Sequence, residues 1–305
     1  MSAATPRARA ARRRVAGHLL WMFDFDNTLA PLEPAVDWAA SRRELQAWLS
    51  AQGVAAALFE EFPRGNLVLY EAVRARLCAG GNAARAVLAR EGLAAALDGG
   101  QPGRDAIRRE RGGGRAAAAP LAALLDGASA IIERYELAGV GSVAPAPGAL
   151  ELLRMLRSSG ATVAIVTSNS SRTVTQFLRN CAGENKLHDE VDDEVDADNP
   201  LACVRVIDLV DFIVGRDNGL ALKPSPATIE FALAACQCSL DDAAFVGDSE
   251  ADLRAAQSAG VRFYGVNAKP EARERLTALG ASPVFSSPAA MAVHLNLLSD
   301  RGRGR

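Results

Sequence analysis

Four short segments carry residue types able to do chemistry together. Asp24 and Asp26 stand two apart in Asp24-Phe25-Asp26-Asn27-Thr28. Two carboxylates at that spacing suit a nucleophile beside an acid/base, or a cradle for a divalent cation. Thr167-Ser168-Asn169 offers hydroxyl, amide and backbone N–H donors to an oxyanion. Lys223 has apolar residues before it and a proline after it in Leu220-Ala221-Leu222-Lys223-Pro224-Ser225-Pro226. In Gly247-Asp248-Ser249-Glu250-Ala251-Asp252 the two aspartates are four apart, so a helical turn would bring them onto one face. Singly, each segment has an ordinary explanation: a turn acid, a strand-end threonine, a solvated cation, a helix N-cap. Together they are notable because all lie at or near strand ends.

Those strands are read from hydrophobic pattern. Residues 18–25 form a short apolar run ending in acid, as a buried strand does. From Pro147 onward, predicted strands at 162–167, 209–214, 243–246, 261–266 and 283–285 alternate with predicted helices. The helices fall at 148–159, 171–180, 225–237, 250–258, 270–279 and 288–298. Such alternation implies an α/β fold, a Rossmann-like doubly wound parallel sheet. Sheets of this kind bind ligands beyond the carboxyl ends of their strands, where the strand order reverses. The stretch 31–144 interrupts the alternation with helical pieces at 43–51, 67–77, 82–97 and 120–137, and a Gly/Arg-rich connection at 99–114. It reads as an inserted helical cap domain. The core is then 15–30 with 145–298, flanked by a disordered basic leader (1–14) and a flexible tail (299–305). The run 184–198 holds eight acids against one lysine but no glycine, so it fails the calcium-loop pattern and reads as a solvated acidic loop.

Composition removes several function classes. The 305 residues carry a formal net charge of -2 with 5% aromatics, giving no stacking surface for nucleic acid; the basic arm at the N-terminus could touch nucleic acid or an anionic membrane but reads more simply as an arginine-biased leader. No apolar stretch reaches the ~18 residues of a membrane span. Five irregularly spaced cysteines read as free thiols of a cytoplasmic protein, and three scattered histidines argue against a His-based metal cluster or a Ser-His-Asp site. Only three of the 34 basic residues are lysines, which makes Lys223 stand out in a chain that otherwise uses arginine.

The four segments, in this order, resemble the motifs of the haloacid dehalogenase superfamily. Asp24/Asp26/Thr28, Thr167, Lys223 and Asp248/Asp252 match its successive motifs, over about 15–30 and 145–285. The resemblance implies a Mg²⁺-dependent phosphatase acting on a small phosphorylated metabolite, with a helical cap that gates access. Asp24 would be the nucleophile and Asp26 the acid/base. Thr167, Ser168, Asn169, Thr28 and Lys223 would hold the phosphoryl group, and Asp24, Asp26, Asp248 and Asp252 the metal. Asp252 is left open between a direct ligand and an outer anchor. An acid at position 26 argues against a dehalogenase, which has no leaving alcohol to protonate. A sugar phosphomutase of the same superfamily and a non-catalytic binding protein on the same fold remain as alternatives. Substrate identity and oligomeric state are not readable.

Overall fold

A computed structural model of the protein describes residues 14–79, 115–181 and 205–302. Residues 1–13 of the expected leader (1–14), the helix at 82–97, the 99–114 connection and the acidic run 184–198 lie outside the described residues. The chain divides into two compact units, 1–35 with 139–305, and 36–138.

The first unit is built on six parallel strands: β1 (Leu20–Phe23), β2 (Thr162–Val166), β3 (Phe212–Val214), β4 (Ala243–Gly247), β5 (Arg262–Val266) and β6 (Val284–Phe285). Their order is β3-β2-β1-β4-β5-β6. Every residue of β1, β2 and β4 is buried. This is why they read as unbroken apolar runs: both faces of a parallel sheet are covered by helices. Those helices are α5 (Ala149–Ser158), α6 (Ser171–Asn180), α7 (Ala227–Cys236), α8 (Glu250–Ala259), α9 (Pro270–Ala278) and α10 (Pro288–Gly302). Leu152, Leu153 and Leu156 give α5 its buried face. Local sequence sets the helix ends. Ser170 caps α6 by accepting from the Thr173 N–H, Pro270 opens α9, and Gly260 closes α8 at φ 73°.

Two element boundaries of this unit differ from expectation by three residues or more. β3 starts at Phe212, because residues 206–209 form a 3-10 turn and Asp211 turns its side chain onto the neighbouring strand. One Asp211 oxygen accepts the Val163 N–H at 2.9 Å and the other pairs with Arg157 at 2.9 Å, so a side chain takes a ladder position. Helix α10 runs to Gly302, into the stretch read as a tail, since neither Gly nor Pro interrupts it earlier.

The second unit holds α1 (Trp38–Ala51), α2 (Ala57–Glu61), α3 (Asn66–Ala79) and most of α4 (Arg115–Val140). Asp37 caps α1 by accepting from the Ala40 N–H at 2.8 Å. Trp48, half-buried, packs on α4: its indole N–H donates to the Leu124 carbonyl at 3.3 Å. Gly127 makes the fit possible, because a Cβ there would stand 2.3 Å from the Trp48 ring. Among the described residues no helix is long and apolar enough to cross a membrane.

Candidate active site

Strand register brings the motifs to one level. Phe23 pairs with Ile165 on one side and with Val246 on the other, and Val166 pairs with Val214. The residues just past these pairs, Asp24, Thr167, Gly215 and Gly247-Asp248, therefore crown adjacent strands. The chain crosses from one side of β1 to the other between β3 and β4, so Asp24 and Asp248 flank the switch point of the sheet.

Lys223 organises the centre. Its Nζ donates to Asp24 Oδ1 and to Asp252 Oδ1, each at 2.5 Å, and lies 3.4 Å from the Val166 carbonyl oxygen. The ammonium is nearly buried and stands 5.4 Å from the Phe245 ring centroid. Burial works against its charge, but the two carboxylates more than compensate and raise its pKa above the ordinary lysine value.

Asp24, Asp248 and Asp252 each offer a carboxylate oxygen, all within 4.8 Å of one another. Crowding of acids shows in their protonation. Burial pushes Asp24 up to about 7, against the pull of Lys223 and with the push of Asp252. Burial and the charges of Asp24 and Asp252 push Asp248 up to about 8. One ammonium among two buried carboxyls and the half-buried Asp248 leaves an excess of negative charge once all three ionise, which an oxygen-seeking divalent cation would neutralise. The donor set thus fits a hard metal ion.

The two aspartates of the fourth segment do not share a helix face. Asp248 precedes the N-cap Ser249, and Asp252 is the third residue of α8. A capping box replaces the helical turn expected there. Asp252 Oδ2 accepts the Ser249 N–H at 3.1 Å and its Oγ–H at 2.6 Å, while the Ser249 hydroxyl accepts the Asp252 N–H at 3.2 Å. Gly247 is required beside it: a Cβ would stand 2.5 Å from Asp252 Cβ.

Asp26 sits in the loop after β1, where its Oδ1 accepts the N–H groups of Leu32 and Glu33, both at 2.9 Å. Burial, with the nearby Glu33 charge adding, pushes Asp26 up to about 6 despite those hydrogen bonds. Thr28 is buried, and its hydroxyl has no hydrogen-bond partner among the described residues. Thr167 donates its hydroxyl to Asn169 Oδ1 at 3.0 Å and accepts the Asn169 N–H at 3.1 Å. Ser168 is half-buried beside them. A cavity of about 870 Å³ opens next to Asp248 and Ser249, with Asn27, Glu33 and Lys269 on its walls.

Sequence reasoning missed three supports. Asn267 ties the Asp248 carbonyl, through its Nδ2 at 3.1 Å, to the N-cap of α9, where its Oδ1 accepts the Lys269 N–H at 2.9 Å. Ser249 holds Asp252. Arg216, 1% exposed, lies behind the Thr167 loop. Arg216 follows a predicted strand end just as the other motifs do, so the same rule applied to β3 would have found it.

Residues 20–260 match the family model for haloacid dehalogenase-like hydrolases, and the chain belongs to that family. The phosphoglycolate phosphatase of Pseudomonas putida is 28% identical over 247 residues, covering 81% of this chain and 68% of that protein. Phosphoglycolate phosphatase 1 of Pseudomonas aeruginosa is 30% identical over 136 residues, covering 43% of this chain and 42% of that protein. The chain thus matches less than half the length of the second relative. A solved hydrolase from Pseudomonas syringae superposes at a TM-score of 0.48 with 20% identity, over 92% of this chain and 99% of that one.

Proposed function

We propose that the protein is a Mg²⁺-dependent phosphoric monoester hydrolase that cleaves a small phosphorylated metabolite through an aspartyl phosphate on Asp24. The observation that carries this reading is Lys223 bound to Asp24 at 2.5 Å, at the switch point and beside Asp248. A buried carboxylate attacks a phosphate dianion only where fixed positive charge offsets the repulsion. The relatives named as phosphoglycolate phosphatases support a small phosphorylated hydroxy acid as the substrate class.

Asp24 attacks phosphorus and forms the P–O bond to its carboxylate as the ester oxygen leaves. Asp26 gives its proton to that leaving oxygen. It then takes a proton from the water that attacks the phosphorus, releasing inorganic phosphate and restoring Asp24. A carboxyl at about 6 suits both halves of the task near neutral pH. Thr167, with the Ser168 backbone N–H and Asn169 beside them, holds phosphoryl oxygens. Asp24, Asp248 and the Asp26 carbonyl would hold Mg²⁺, which when bound neutralises phosphoryl charge. Asp252 serves as the anchor of Lys223, because Oδ1 is bound to the ammonium and Oδ2 to Ser249.

The test is hydrolysis of an aryl phosphate with and without Mg²⁺, in wild type and Asp24→Asn, with acid quenching to trap phosphorylated protein. Mg²⁺-dependent turnover that vanishes in Asp24→Asn is expected. An inactive wild type, or an active Asp24→Asn, would defeat the reading. A panel of phosphorylated acids and sugar phosphates then separates phosphate release from isomerisation, the outcome a phosphomutase would give.

A further inference from the structure

We infer that Arg216 is a positioning residue for phosphoryl transfer: it fixes and polarises the Thr167 hydroxyl through the peptide unit between Ser168 and Asn169. The inference rests on the proposed phosphoryl-binding role of Thr167.

Arg216 lies in the turn after β3 and is 1% exposed. Its backbone N–H donates to the Asn169 carbonyl at 2.9 Å, and its Nη1 donates to the Ser168 carbonyl at 2.9 Å. The other end of that Ser168 peptide unit is the Asn169 N–H, which donates to Thr167 Oγ1 at 3.1 Å. Thr167 Oγ1 in turn donates its proton to Asn169 Oδ1 at 3.0 Å. Three hydrogen bonds therefore run in series from a guanidinium to a hydroxyl proton. A cationic donor on the carbonyl draws electron density along the peptide and strengthens the N–H as a donor. An oxygen accepting a stronger bond gives up its own proton in hydrogen bonding more readily. When a phosphoryl oxygen takes the place of Asn169 Oδ1 as acceptor, the hydroxyl is already oriented and polarised toward it.

The turn is shaped for this purpose. Gly215 has no room for a side chain: a Cβ would stand 2.5 Å from the Ser171 N and 2.9 Å from the Asn169 carbonyl oxygen. Asp217 Oδ1 accepts the Ser171 N–H at 2.7 Å and its Oδ2 accepts the Ser171 hydroxyl. Residues 215–217 thus clip both ends of the Ser168–Ser171 loop. Arginine suits the position, since its planar fork is pre-organised and stays charged when buried, whereas a lysine ammonium is a flexible point charge.

The experiment is a double-mutant cycle of Arg216→Lys with Thr167→Val on Mg²⁺-dependent aryl phosphate hydrolysis. Inhibition by inorganic phosphate and melting temperature are measured alongside. Arg216→Lys is expected to lower kcat/KM by about tenfold to a hundredfold, the loss of one charge-assisted hydrogen bond. In the Thr167→Val background it should cost less than about threefold more, because the hydroxyl it serves is gone. Equal losses in both backgrounds, or kinetics unchanged in Arg216→Lys, would overturn the inference and leave Arg216 as packing alone. If Arg216→Lys fails to fold, Arg216→Gln enters the same cycle. If wild type hydrolyses no aryl phosphate, the phosphatase reading fails separately. The relay is then read from the Asn169 amide proton in asparagine-labelled protein. An upfield shift in the Arg216 variant supports the relay, and an unmoved resonance refutes it.

Discussion

Replacing Lys223 by arginine keeps the charge and should still disable the site. The lysine ammonium meets Asp24 Oδ1 and Asp252 Oδ1 from a single atom, each at 2.5 Å, with Val166 O at 3.4 Å and the Phe245 ring closing the slot. A guanidinium spreads its donors over three nitrogens in a plane and needs more room than one Nζ. Overfilling a packed site costs about 1–3 kcal/mol of stability. Losing the charge-assisted bond to Asp24 in the transition state costs about 1.5–3 kcal/mol, which is about tenfold to 150-fold in turnover. The assay is kcat and KM for aryl phosphate hydrolysis in saturating Mg²⁺, with urea unfolding on the same preparations. Lys223→Met provides the contrast. It leaves two buried carboxylates uncompensated, a deficit of about 3–5 kcal/mol. That deficit should shrink as pH is lowered and a carboxyl takes up a proton. Lys223→Arg turning over within threefold of wild type would refute the argument that a compact cation is needed.

Three further outcomes are expected. Gly247→Ala forces its Cβ against Asp252 Cβ and Cγ, so unfolding in urea should show a loss of about 1–3 kcal/mol, with turnover reduced as Lys223 loses its anchor. In the metal-free protein Asp24 and Asp248 are raised to about 7 and about 8 from 3.8, so the folded state binds protons that the unfolded state has released. Stability then falls as pH rises across that window, and Mg²⁺, which needs the ionised carboxylates, should raise the melting temperature more at pH 8 than at pH 6; equal shifts would contradict this. His18 is lowered from 6.5, chiefly by burial, so the unfolded chain binds more protons there and stability falls as pH drops below about 6.5. His18→Phe should flatten that acid-side decline in pH-dependent melting curves.

Much of this was legible locally. A parallel strand covered on both faces is apolar throughout, and acids at its end mark the switch to the ligand side. Hence β1 with Asp24 and Asp26, β2 with Thr167, and β4 with Asp248 could each be read from a few adjacent residues. Caps such as Ser170 and terminators such as Gly260 are equally local. The order of the strands is not local, since periodicity does not say which strand lies beside which.

Sequence alone thus determined the chemistry at hand: carboxylates, hydroxyls and a rare lysine at strand ends of a doubly wound sheet. Tertiary structure decided how each atom is used. Lys223 reaches Asp24 across 199 residues of chain. Asp252, open between ligand and anchor in sequence, has one oxygen on Lys223 and the other on Ser249. Arg216, one of 31 arginines, follows a strand end in the sequence, but its bond to the Ser168 carbonyl exists because register sets Gly215 level with Thr167. The physical reason is common to all three. Residue type sets what a group can donate or accept, but the choice among partners is made by strand register and packing, which bring distant segments within 3 Å.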